Sequence, residues 1–130
     1  MLKSTFENNS QWESASKYIL SFPEIRFVGV IDNMGNLVVG DYKKGVVPMA
    51  KLDQYKICME HALELFMKND LDGTLGPLDY IVSKRKNIKI ITIPVNNYLV
   101  LISAETTMKV EPIIDEIIQS LNDIHKTINP

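Results

Sequence analysis

The chain has 130 residues, 45% of them hydrophobic and 23% charged, a balance that fits one soluble globular domain large enough to need neither disulfides nor a structural metal. Fourteen Lys and Arg against sixteen Asp and Glu leave a net charge of −2, unlike the basic footprint of a dedicated nucleic-acid binder. The one cysteine, Cys58, cannot close a disulfide within the chain, no apolar run approaches the ~18 residues of a membrane span, and Met1 to Glu7 lack the apolar core of a signal peptide, so a cytoplasmic protein is expected.

In chain order, Ser10-Gln11-Trp12-Glu13 has the form of a capping box, and Trp12, Ala15 and Ile19 follow at helical spacing before Pro23. The spacing predicts a first helix over 10–21. Ile25 to Ile31 and Leu37 to Tyr42 are β-rich runs around Asp32-Asn33-Met34-Gly35-Asn36, whose Asn and Gly suit the positive φ of a tight hairpin. Phe27, Val28, Val30 and Ile31 are apolar on both faces of the first strand, which places it centrally in a sheet. Residues 50–68 contain no Gly or Pro and carry Leu52, Tyr55, Met59, Ala62, Leu63 and Phe66 at three- and four-residue intervals, the pattern of a long helix.

The punctuated stretch from Asn69 to Pro77 ends that helix and three strands follow, Leu78 to Lys84, Ile88 to Ile93 and Tyr98 to Ala104, joined by turns at Lys86-Asn87 and Val95-Asn96-Asn97. Val110, Ile113, Ile114, Ile117, Ile118, Leu121 and Ile124 make the apolar stripe of a final helix, with Pro112 in its first turn. The order α-β-β-α-β-β-β-α implies the α+β class: a five-stranded antiparallel sheet with the first and last helices on one face and the 50–68 helix on the other. No repeat or linker divides the chain, so a single domain over 1–130 is expected, with its core at about 25–124.

The residues that could carry chemistry do not assemble into a familiar constellation. Asp70-Leu71-Asp72-Gly73 fits the centre of an EF-hand loop, but that register puts Lys68 at position one and Asp79 where the bidentate Glu belongs. His61 with Glu60 and Glu64 makes only a partial metal site, His125 suits a helix C-terminus, and Cys58 between Ile57 and Met59 reads as a small core hydrophobe. Nucleophile elbow, Walker loop and dinucleotide fingerprint are all missing from the sequence, so no catalytic residue, metal or cofactor is expected. The cations Lys84, Arg85, Lys86 and Lys89 form the one local charge concentration, read first as a solvated hairpin tip that discourages edge aggregation, then as a docking site for an acidic protein partner, and last as a nucleic-acid groove.

The helix over 50–68 carries apolar residues across an arc of roughly 200°, about twice what one sheet face needs. This excess motivates an expected homodimer in which Leu52, Tyr55, Met59, Ala62 and Phe66 meet a second copy, with Tyr80 and Val82 on a pairing edge strand.

Phe27-Val28-Gly29-Val30-Ile31-Asp32-Asn33-Met34-Gly35-Asn36-Leu37-Val38, the long helix from Leu52, Leu75-Gly76-Pro77-Leu78 leading into the third strand, and Tyr98-Leu99-Val100-Leu101-Ile102 before the last helix together resemble the roadblock/LC7 superfamily of the profilin-like fold, and an archaeal family of similar small proteins. The resemblance implies a non-enzymatic dimeric scaffold or regulator acting with a small GTPase or another protein partner, with neither membrane nor nucleic acid engaged. An alternative from the same arrangement of sheet and helices is a PAS-like small-molecule sensor with a pocket between sheet and helix.

Overall fold

A computed structural model describes residues 2–32, 34, 36–48 and 72–128, with side chains described for 10–32, 34, 36–48 and 73–123. Its elements are α1 (Leu2–Leu20), β1 (Ile25–Ile31), β2 (Leu37–Tyr42), a one-turn α2 (Asp72–Leu75), β3 (Ile81–Lys84), β4 (Lys89–Val95), β5 (Tyr98–Ala104) and α3 (Val110–Ile128). The architecture is α+β, a five-stranded antiparallel sheet with helices on both sides, in the order β2-β1-β5-β4-β3. The helix expected over 50–68 lies outside the described residues, as do Asn33 and Gly35 of the first hairpin.

Alternation along the strands explains the two faces. Val28, Val30, Ile91, Ile93, Val100 and Ile102 point to the face that receives Trp12, Ala15 and Ile19 of α1 and Ile114, Ile117 and Leu121 of α3, and all of them are buried in one cluster. Each such aliphatic side chain contributes about 1.5–3 kcal/mol by leaving water, which makes this layer the main source of stability. On the opposite face Phe27, Ile31, Ile90, Thr92 and Leu101 are also buried, so β1 has the two-sided burial that its sequence required.

Gly29 and Gly40 stand directly opposite each other in the β1–β2 ladder. A Cβ on Gly29 would come 3.1 Å from the Phe27 ring, and one on Gly40 would come 2.8 Å from a Leu37 methyl. The two side chains thus lean over bare backbone, and the Phe27 and Tyr42 rings meet edge to face at 4.7 Å.

Four boundaries differ from the sequence expectation. The first helix starts at Leu2 rather than Ser10; no Gly or Pro lies in that stretch to stop it, so the helix propagates through the capping-box residues. β3 starts at Ile81 rather than Leu78 because the register sets Ile81 against Thr92, which would place Asp79 opposite Pro94, a residue with no N–H to give the ladder. β4 runs past Pro94 to Val95, and there it has β5 as its ladder partner while β3 has already ended. Finally, α2 forms one helical turn inside the stretch read as a loop, and Gly76 with φ +88° closes it.

Candidate interaction surface

Among the described residues both sheet edges pair on one side only, β2 with β1 and β3 with β4. The edges are not equivalent, since α1 packs against β1 and β2, whereas β3 is only four residues long and alternates between half-buried and exposed. Tyr80 packs against the main core cluster from just before β3, and Val82, paired with Ile91, keeps 38% of its surface in water. Of the expected interface, the structure describes Tyr80, which precedes β3 and packs on the core, and Val82, which is exposed on β3. Leu52, Tyr55, Met59, Ala62 and Phe66 lie outside the described residues.

The end of the sheet where β1 begins and β5 finishes is tied by side chains from distant segments. Arg26 Nη1 donates to Glu105 Oε1 at 2.7 Å and Arg26 Nη2 to the Val47 carbonyl at 3.0 Å. Glu24 accepts from the Thr107 hydroxyl at 2.6 Å, Lys43 donates to the Phe22 carbonyl, and Lys89 donates to the Met108 carbonyl at 2.8 Å. Burial lowers the Lys43 pKa from its usual 10.5, and Glu105 opposes that shift. These bonds hold the 43–48 loop and the β5–α3 connection against the sheet. None of them was singled out from sequence; the available signal was Arg26 itself, a cation inside an otherwise apolar strand, but its partner stands 79 positions away.

Among the described residues no three His, Cys, Asp or Glu side chains come together as a metal site, and no helix is long and apolar enough to cross a membrane. A shallow groove between α1 and α3 is lined by Ser10, Gln11, Ser14, Tyr18, Ser120 and Asp123.

The sheet order and the flanking helices define a roadblock/LC7-like fold. The structure superposes on Myxococcus xanthus MglB with a TM-score of 0.74 at 10% identity, covering 94% of this chain and 92% of that one. For the gliding protein MglB of Thermus thermophilus the TM-score is 0.74 at 13% identity, with 92% of each chain covered. For a Roadblock/LC7 domain from Streptomyces avermitilis it is 0.68 at 7% identity, covering 89% of this chain and 96% of that one. No curated protein matches by sequence. Over residues 6–127 the chain matches DUF6659, a family of unknown function, and it belongs to that family.

Proposed function

We propose that this chain is a single-domain, non-enzymatic scaffold or regulatory protein of roadblock type, working as a homodimer in the cytoplasm and acting with a small GTPase or another protein partner. The observation that carries the reading is the roadblock-type fold with β3 at a sheet edge, without a second strand partner among the described residues, and Val82 exposed on it. Pairing two such edges about a two-fold axis would satisfy their backbone groups, and the residues expected at the centre of the contact are Tyr55, Met59, Ala62 and Phe66 with Tyr80 and Val82 at its margin. Light scattering on the purified chain tests this. A dimer mass is expected, with Met59→Asp or Phe66→Asp giving monomers, because an unpaired carboxylate in an apolar contact costs several kcal/mol. A monomer in the unmodified protein overturns the scaffold reading, and a dimer untouched by folded forms of both variants places its interface elsewhere.

A further inference from the structure

Although the chain is acidic overall, the fold gathers most of its cations at one end. Lys84 pairs with Lys89, Lys89 with Ala104, and Ala104 with Ile25 across the sheet, and the Lys43 amide bonds to the Arg26 carbonyl beside them. All five strands therefore have an end here. Three cations at this end, Arg26, Lys43 and Lys89, are used internally, on Glu105 or on backbone carbonyls.

Five more serve no internal partner among the described residues. Lys44, Lys84, Arg85, Lys86 and Lys109 are exposed, and none makes an ion pair within the described residues, where the one such pair is Arg26–Glu105. Lys109 comes from the chain after β5, brought to the hairpin by the bond from Lys89 to the adjacent Met108 carbonyl. Three and five make eight of the chain's fourteen Lys and Arg. At the opposite end, the described residues 31, 32, 34, 36, 37, 78–81 and 95–98 include Asp32 and Asp79 and not one Lys or Arg.

We infer that this cationic end, centred on the β3–β4 hairpin tip, is a docking surface for an acidic segment of a protein partner. Asp79 is five residues from Lys84 and Asp32 six from Arg26, about 17–20 Å along extended chain, so the far-end carboxylates lie about two Debye lengths away and are largely screened from the cationic end. The chemistry of the end discriminates among polyanions. Nucleic acid would want exposed rings to stack on, but Tyr42, the aromatic at this end of β2, is half-buried against Phe27. A uniformly anionic bilayer would meet Glu24, Asp41, Glu105 and Glu111 interleaved with the cations, whereas a protein segment can place its carboxylates to avoid them. Exposed Val47, held beside Arg26 through its carbonyl, adds an apolar contact of the kind protein interfaces use. Lys84 ends β3, so the surface adjoins the contact proposed for dimerisation, and peptide affinity and mass are read in the same samples to tell the two apart.

The test is fluorescence anisotropy with a labelled octaglutamate peptide on the full chain, its mass measured in the same samples. Saturable binding is expected, weakening about tenfold from low to physiological salt. The triple variant K84E/R85E/K86E, all at exposed tip positions, should retain its fold by circular dichroism and bind about tenfold or more weakly. Asn97→Lys adds the same sign of charge at the far end and should leave affinity unchanged, separating a local site from a net-charge effect. Peptide affinity within about twofold of the parent in the triple variant, tighter binding of oligo-dT or phosphatidylserine vesicles than of the peptide, or a charge-reversal effect on self-association alone would each overturn the inference.

Discussion

At the end of the sheet where β1 turns into β2, Asp32 Oδ1 accepts the amides of Met34 and Asn36, both at 2.9 Å, and Asp32 N donates to the Asn36 carbonyl at 2.9 Å. Nearby, Asn96 with φ 55° turns β4 into β5. Every group involved lies within four residues of its partner. The opposite end has a local turn of its own, where the Arg85 amide donates to the Ile88 carbonyl at 2.8 Å, but β1, β2 and β5 are tied there across the chain: Arg26 reaches Glu105, Glu24 reaches Thr107, and Lys43 reaches Phe22. The lesson is that one sheet can be closed by turn chemistry at one end and by tertiary bonds at the other. The first kind forms as soon as the hairpin does, while the second exists only once β1 and β5 lie side by side.

Substitutions can separate these two modes. The largest effect is expected at the locally closed end, where Asp32→Ala removes the acceptor of two backbone amides and of the Asn36 side chain. A loss of about 1–2 kcal/mol in urea denaturation is expected, insensitive to salt because the bonds run to amides. A loss under about 0.3 kcal/mol would mean that the hairpin is held by its strands alone.

At the other end, Arg26→Met deletes an ion pair to a carboxylate that is 44% exposed, together with the bond to Val47. The expected cost is smaller, about 1 kcal/mol, and it should shrink in about 1 M NaCl, where the Debye length is about 3 Å. Equal costs at low and high salt would show that the ion pair contributes nothing.

The smallest effect is a slope. The folded protein holds Lys43 below its usual 10.5, so just below that value the unfolded chain binds more protons and the contribution of this lysine to stability increases as pH rises. Denaturation of Lys43→Met and the parent chain should therefore diverge in the parent's favour through the alkaline range up to 10.5. Parallel curves would contradict burial of the amine.

The same division explains what could be read in advance. β1, β2 and β5 have the bounds expected of them, because alternation, turn residues and flanking polar groups are local signals. The edge position of β3 was also legible, from the long connection before it and the short turn after it. Its start was not, since the register with Pro94 is decided by the partner strand. The cationic end was half visible: Lys84 to Lys89 are adjacent in sequence, but Arg26, Lys43 and Lys109 join them only through sheet order and the Lys89–Met108 bond. The turn from Val95 to Tyr98, by contrast, announced itself through Asn96-Asn97.

Trp12 is the only tryptophan in the chain, and it sits 1% exposed with its ring 5.2 Å from that of Tyr98. Its indole nitrogen has no hydrogen-bond partner among the described residues. An indole in such dry surroundings emits at short wavelength, and Tyr98 is close enough to pass it excitation energy. The protein thus carries an intrinsic optical gauge of whether α1 is seated on β5: a red shift of the emission together with loss of tyrosine-sensitised intensity reports that helix lifting away, without any label.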